Sequence, residues 1–105
     1  MNKIITILEE LGLPFAYDHF TEGEGPDPPF LCYRCPNSDN FAADGTVYFP
    51  ITEIDIELYT DKKDPKIEKK LEDLLVKSGI FFEKTETWIE SEKLYEVLYS
   101  FEQEA

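Results

Sequence analysis

The fold is decided by residues 52–79, which read TEIDIELYTDKKDPKIEKKLEDLLVKSG. Residues 53–58 alternate between acidic and aliphatic side chains. This period of two predicts a strand with one buried face and one solvent-exposed face. The aliphatic set is Ile54, Ile56 and Leu58, and the acidic set is Glu53, Asp55 and Glu57. We expect the extended segment to run from Thr46 to Thr60, with Pro50 at a bulge, a break or an edge position because proline donates no ladder hydrogen bond.

A helix is predicted to follow at residues 65–79. Asp64 is a favourable N-cap and Pro65 suits the first helical position. Apolar residues recur at i, i+4, i+7 and i+8, and they are Ile67, Leu71, Leu74 and Leu75. Gly79 then closes the helix. This apolar stripe predicts that the helix packs on the aliphatic face of the preceding strand.

The segments on either side extend this pattern. A first helix, with apolar residues Ile4, Ile5, Leu8 and Leu11, ends at Gly12. Short strands are predicted at residues 15–20 and 30–35, with irregular stretches at 21–29 and 36–45 that are rich in glycine, proline or polar residues. Two more strands are expected within 80–90 and 92–103.

The last of these strands is apolar on both faces. Tyr95, Val97, Tyr99 and Phe101 share one face, and Leu94 and Leu98 lie on the other. Such a strand is expected inside a sheet or against another subunit. The order α-β-β-β-α-β-β predicts a single α+β domain over residues 1–105, in which two helices cover one face of a mainly antiparallel sheet of about five strands.

Composition and charge exclude several classes of protein. The 105 residues are 42% apolar, which is too apolar for a disordered chain. Twenty-three acidic against ten basic residues give a net charge of −13, so tight binding to nucleic acid or to an anionic membrane is not expected. No apolar run is long enough for a membrane-spanning helix, and the N-terminal segment MNKIITILEELG is not typical of a signal peptide.

The residues that could carry chemistry are few. Cys32 and Cys35 form a C-x-x-C, but it lies in a strand-like run, where residues i and i+3 face opposite sides. His19 is the only further candidate for a metal site and has no nucleophile beside it in the sequence. We therefore predict no catalytic residues, no metal and no cofactor. A thiol oxidoreductase is the enzymatic alternative, and it requires the two thiols to be close and exposed.

Aromatic residues exceed what two short helices can cover. We expect that Phe81, Phe82, Trp88, Ile89, Tyr95 and Tyr99 are not all internal. Excess apolar strand surface predicts a partner, most simply another copy of the chain. The candidate contact residues are Phe41, Trp88, Tyr95 and Tyr99.

Four strings of sequence carry a resemblance to a known family. They are LPFAYDHF at 13–20, NFAADGTVYFPI at 40–51, IELYTDKKDP at 56–65 and IESEKLYEVLYSFE at 89–102. Over roughly residues 7–102 the chain resembles small virion proteins of long-tailed bacteriophages and prophages, the tail terminator or tail completion family of the head–tail junction. Related head–tail joining proteins have similar length and composition.

The resemblance implies a structural role in the virion. It implies an α/β subunit that closes into a ring of six on the tail tube, stops tube polymerisation and docks the head connector protein, after assembly in the bacterial cytoplasm. In such a ring, Glu53, Asp55 and Glu57 would form an acidic lumen face that does not bind the passing DNA. The alternative from another class is an acidic DNA mimic that inhibits a host nuclease or DNA-binding protein.

Overall fold

The computed structural model describes the backbone of residues 2–36, 41–43, 46–49 and 51–104, and the side chains of residues 3–36 and 52–103. Its elements are α1 (Asn2–Leu11), β1 (Phe15–Tyr17), β2 (Phe30–Arg34), β3 (Phe41–Ala43), β4 (Thr46–Phe49), β5 (Ile51–Thr60), α2 (Pro65–Lys77), β6 (Glu83–Ile89) and β7 (Leu94–Glu104). The predicted α+β class is confirmed.

Five of the strands form one mixed sheet in the order β1-β2-β5-β7-β6. Only β1 and β2 are parallel, and the other three pairings are antiparallel. The ladder between β5 and β7 runs from Ile51 opposite Glu104 to Thr60 opposite Tyr95, so these two strands form the centre of the sheet. β7 lies between β5 and β6, inside the sheet, as the sequence predicts. Its Val97, Tyr99 and Phe101 are buried on the helix side, whereas Leu94 and Leu98 lie half-buried on the opposite face.

Both helices pack on the same face of this sheet. The alternation in β5 is confirmed, because Ile54, Ile56 and Leu58 are all buried. They meet Leu71 and Leu75 of α2, and α1 adds Ile4, Ile7, Leu8 and Leu11 to the same core. One apolar core therefore lies between the helices and the sheet, and neither of the two described helices lies on the opposite face of the sheet.

The ends of α2 follow from its sequence. The Asp64 side chain accepts a hydrogen bond from the backbone N–H of Ile67 at 3.2 Å, as an N-cap does. The helix ends at Lys77, two residues before the predicted end, and the Ser78 N–H donates to the carbonyl of Leu74. Gly79 follows with φ of +75°, a conformation that glycine adopts without strain.

Three further predictions of local structure are wrong. The first strand stops at Tyr17 because Asp18 takes a φ of +64°, which leaves the extended region. Residues 36–45 are not wholly irregular, since β3 lies within them and pairs with β4 in a separate antiparallel hairpin. The extended segment 46–60 is two strands, β4 and β5, and Pro50 between them lies outside the described residues.

Membrane insertion through a helix is not supported. Within the described part of the chain, neither α1 nor α2 has the length and the apolar composition that crossing a bilayer requires.

Candidate functional site

The face of the sheet opposite the two described helices is strongly acidic. Register and alternation place six carboxylates on it, and we call this surface the acidic face: Glu53, Asp55, Glu57, Glu83, Glu96 and Glu102. The only basic side chain that the described strands place on the same face is Arg34, which β2 positions opposite Asp55. The prediction that Glu53, Asp55 and Glu57 share a face is confirmed.

Asp55 nevertheless differs from the two acids beside it. Its side chain is only 5% exposed, so the expectation of a fully wet face is wrong at this position. The Arg34 Nη2 lies 3.6 Å from Asp55 Oδ2, and the Ser100 hydroxyl donates to Asp55 Oδ1. These partners stabilise a buried carboxylate that would otherwise be costly. Asp55 therefore joins β2, β5 and β7 and is not available to a ligand.

Glu57 and Glu96 share one phenol. The Tyr59 hydroxyl lies 2.9 Å from a carboxylate oxygen of each, although it has a single hydrogen to donate. Burial raises the pKa of Glu57, the charge of Glu96 raises it further, and the hydrogen bond from Tyr59 acts in the opposite direction. Burial and the charge of Glu57 also raise the pKa of Tyr59, so the phenol stays protonated. This cluster holds a proton more readily than a solvated carboxylate does.

A pH dependence of stability follows from the raised pKa of Glu57. Because the folded state binds this proton more tightly than the unfolded state, the stabilisation is complete at low pH and is lost as pH rises through the folded pKa. We expect Glu57→Gln to raise the free energy of unfolding at pH 7–8 and to leave it unchanged at a pH below the ordinary glutamate value. Urea unfolding at several pH values measures this.

The matched control for this prediction is Glu92→Gln, which removes the same charge from an exposed turn. Because Glu92 is exposed, its substitution should change stability only slightly at pH 7–8. A Glu57→Gln variant that is destabilised at pH 7 would show that the ionised carboxylate is the form that the fold favours.

A second polar network lies on the helix side of the sheet. Glu68 of α2 is buried, and its carboxylate contacts Lys63 Nζ at 2.6 Å and Lys84 Nζ at 2.8 Å. Burial alone would raise the pKa of Glu68, but the hydrogen bonds from the two lysines outweigh it and hold the pKa below its ordinary value. Lys84 also contacts Glu72 at 2.7 Å. The network ties α2 to β6, and we assign it to the fold.

One predicted contact residue belongs to the core. Tyr99 is 0% exposed, its ring meets Phe82 edge-on at 5.3 Å, and its hydroxyl donates to Glu72 at 2.8 Å. It therefore cannot contact a partner without unfolding of the subunit. Phe41 lies in β3, where side chains are outside the described part of the chain.

The remaining two contact candidates come together at one end of the sheet. The rings of Trp88 and Tyr95 are in contact on the β6–β7 hairpin, with centroids 4.8 Å apart and planes tilted by 58°. Trp88 remains 43% exposed, and its Nε1 donates to Glu90 at 2.6 Å. Hydrogen bonding to Glu90 fixes the indole orientation while its ring stays open to solvent, which suits a contact residue.

A third apolar side chain, which is not among the four predicted contact residues, is more exposed than Trp88 or Tyr95. Phe81 is 95% exposed, in the segment between α2 and β6. It borders an open cleft of about 390 Å³ that Glu53, Glu83 and Glu102 also line. In the string IFF at 80–82, Ile80 is buried and Phe82 packs against the core, so Phe81 between them is the side chain that remains exposed. The aromatic surplus predicted from sequence therefore lies along β6 and the residues just before it.

The two cysteines face different environments, as the sequence predicts. Cys32 is buried opposite Glu57 on the acidic face, whereas Cys35 packs against the core on the other side of the sheet. Burial, with the nearby charge of Glu57, raises the pKa of Cys32 to about 11. His19 is exposed beside Asp18. Among the described residues, no three His, Cys, Asp or Glu side chains are grouped to hold a metal ion.

Slow alkylation of Cys32 is the expected result of this environment. A pKa of about 11 leaves roughly one thiol in 10,000 as the reactive thiolate at pH 7. Iodoacetamide followed by mass spectrometry should therefore label Cys32 only after unfolding. Rapid labelling of Cys32 in the folded protein would revive the thiol oxidoreductase alternative.

Comparison with known proteins does not identify a family for this chain. Any proposal for its function therefore depends on the geometry described above and on the sequence resemblance. No protein-family model and no curated protein matched the chain.

Proposed function

We propose that the protein is a structural component of a bacteriophage tail, a ring-forming terminator or completion protein at the head–tail junction. The observation that carries the proposal is the acidic face, which groups six carboxylates with one arginine on the sheet surface opposite the two described helices. Trp88 and Tyr95, which lie on the helix side of the β6–β7 hairpin, supply a separate apolar surface for neighbouring subunits. A ring that passes DNA needs both kinds of surface, on different sides of its subunit.

The acidic face suits the lumen of such a ring. DNA binds proteins chiefly by releasing counterions when lysines and arginines replace them at phosphates. A lumen lined with carboxylates offers no such exchange, so DNA can pass without adhering. In the proposed ring, Glu53, Glu57, Glu83 and Glu102 line the passage. Asp55 does not line the passage itself, because its carboxylate is already bound by Arg34 and Ser100 within the sheet.

Subunit contacts are proposed along the β6 side. A closed ring needs heterologous contacts, in which one surface of a subunit meets a different surface of the next. Trp88 and Tyr95, with Phe81, form the apolar half of that contact. The proposed partners are other copies of the chain in a ring of six, the tail tube protein below and the head connector protein above. The proposed location is the virion, after assembly in the bacterial cytoplasm.

Tube length tests this function. Cognate tail tube protein is polymerised in the presence of the chain, and tube lengths are measured by negative-stain electron microscopy. We expect short tubes with extra density at one end. The Trp88→Ala variant is expected to fold normally and to leave tubes long, while Glu92→Gln retains full capping. Tubes of unchanged length with the folded wild-type chain would contradict the proposal.

Reversal of the lumen charge should slow DNA passage. Glu53 and Glu102 lie opposite each other on β5 and β7, so Glu53→Lys with Glu102→Lys raises the charge of the acidic face by four units per subunit. DNA would then adhere in a salt-dependent way. We expect tails of normal length and slower genome ejection at low ionic strength. Unchanged ejection from normal tails would remove the lumen assignment.

A DNA mimic is the second candidate, and the spacing of the β5 acids favours it. Alternate residues on a strand repeat at about 7 Å, which produces a row of charges. The burial of Asp55 interrupts that row, so we rank this function below the first. Inhibition of a nuclease by the purified chain, abolished by the Glu53→Lys and Glu102→Lys changes, would reverse the ranking.

A further inference from the structure

The β6 strand is an open edge of the five-stranded sheet. It pairs with β7 from Glu83 to Ile89, and no described strand lies on its other side. The side chains of residues 83–88 are all exposed. An edge strand presents unpaired backbone N–H and C=O groups, which can pair with another strand.

The devices that usually protect such an edge are weak here. The strand is seven residues long, contains no proline and keeps a continuous register with β7. Its single lysine, Lys84, is turned toward α2, where Glu68 and Glu72 hold it. Glu86 in turn contacts Lys63. These contacts reduce the net charge that would repel an incoming strand, and they leave Lys84 and Glu86 exposed on the edge, where an opposed strand can still meet them.

The sequence of this edge is complementary to itself in one antiparallel register. With Thr85 opposite Thr85 of a second copy, Lys84 faces Glu86 and Phe82 faces Trp88. Two residues before the strand, the fully exposed Phe81 faces Ile89. Opposite charges and aromatic or aliphatic pairs are the combinations that stabilise directly opposed positions.

Neighbouring registers lack this complementarity. A pairing centred on Glu86 sets two glutamates against each other, and a pairing centred on Lys84 sets two lysines against each other. Like charges in directly opposed positions destabilise a strand pair. Side chains alternate between the two faces along a strand. A register that pairs one residue with its own equivalent therefore keeps the helices of both copies on the same face of the joined sheet, and a register centred between two residues does not.

We propose that unassembled chains pair through β6 about a two-fold axis at Thr85, forming a dimer with one continuous ten-stranded sheet. The occupant of the edge is a second copy of the chain. A two-fold contact is closed and cannot by itself propagate into a ring. The proposal of the dimer is based only on the edge strand and does not depend on the proposed function. Its consequence rests on the proposed function: it holds the ring-forming surface at β6 occupied until a tail tube competes for it.

Site-directed disulfides test the register. Thr85→Cys is made in a Cys35→Ser background, and the purified chain is oxidised mildly. In the proposed register the two Thr85 positions lie at about 4.5–5.5 Å between Cα atoms, within the range for a disulfide. Thr87→Cys is the matched control, because Thr87 faces Glu83 of the other copy and lies too far from its own equivalent. We expect a covalent dimer from Thr85→Cys, none from Thr87→Cys, and a dimer mass for the wild type.

Failure of the dimer and failure of the function are distinguishable in this design. A monomeric wild type, equal cross-linking at both positions or cross-linking at neither would overturn the dimer, whatever the chain does to tubes. The oxidised Thr85→Cys dimer should not cap tail tubes, and reduction should restore capping. Capping by the locked dimer would overturn the resting-state role. Cross-linking in the right register without capping by the reduced chain would overturn the proposed function and leave the dimer in place.

Discussion

Leu71→Ala is expected to lower the free energy of unfolding by about 2–5 kcal/mol, the range for leucine truncation in a packed core. Leu71 is 0% exposed and lies in the core between α2 and the central strands. The core cluster that contains Leu71 draws buried side chains from both helices and from the central strands, and a closely packed core of this kind closes poorly around a cavity. Domains of this size are stable by only about 5–15 kcal/mol, so the loss is a large fraction. Urea or thermal unfolding measures it.

The control for this prediction lies on the same helix. Val76 is 65% exposed, and Val76→Ala should change stability by less than about 0.5 kcal/mol, since alanine is also the better helix former. A loss below about 0.5 kcal/mol for Leu71→Ala would mean that α2 is peripheral and that the sheet face beneath it is not the core.

Tyr99→Ala should cost about 3–5 kcal/mol of stability, as large aromatic truncations in cores do. The ring is fully buried against Phe82, and the variant also leaves Glu72 without the phenol hydrogen bond. The whole loss should appear in the isolated subunit, before any assembly. This outcome would show that Tyr99 is a core residue, whereas the sequence analysis predicts that it contacts a partner.

Two variants make the Tyr99 result interpretable. Tyr99→Phe keeps the packing and removes only the hydroxyl that donates to the Glu72 carboxylate, so it should cost about 1.5–3 kcal/mol, the range for hydrogen bonds to charged groups. Trp88→Ala, at the exposed end of the same face, should weaken self-association much more than it weakens folding. If Tyr99→Ala had normal stability but no longer assembled, Tyr99 would be an interface residue and not a core residue.

Local patterns predicted the parts of the fold that local physics controls. The alternation over residues 53–58 predicted the buried side of β5, and Asp64 with Pro65 predicted the start of α2. In both cases the deciding interactions lie within a few residues of each other or follow from one apolar face. Alternation also grouped Tyr99 with Val97 and Phe101, which are both buried, so the signal for its core position was present.

Long-range pairing could not be predicted in the same way. Asp55 is buried because β2 brings Arg34 to one side of it and β7 brings Ser100 to the other. Those partners are 21 and 45 residues away, and only the strand order makes them neighbours. The parallel pairing of β1 with β2 is equally non-local, since Phe15 lies opposite Leu31 across an intervening loop.

The candidate site shows the same division. Sequence alternation predicted which acids share a face, but it treated Glu53, Asp55 and Glu57 alike, although burial and hydrogen bonding set them apart. Glu83, Glu96 and Glu102 joined the acidic face only through the registers of β6 and β7. The open edge at β6 depends on strand order, which periodicity along one strand does not contain.

Native mass spectrometry of the chain with its cognate tail tube protein tests the central claim most directly. The account predicts a small species, the β6-paired dimer, for the chain alone. With tube protein it predicts a complex that contains a closed ring of six copies. The Trp88→Ala variant should fold and fail to form that complex. A chain that keeps the same mass with and without tube protein, at concentrations that allow tubes to grow, would contradict the account.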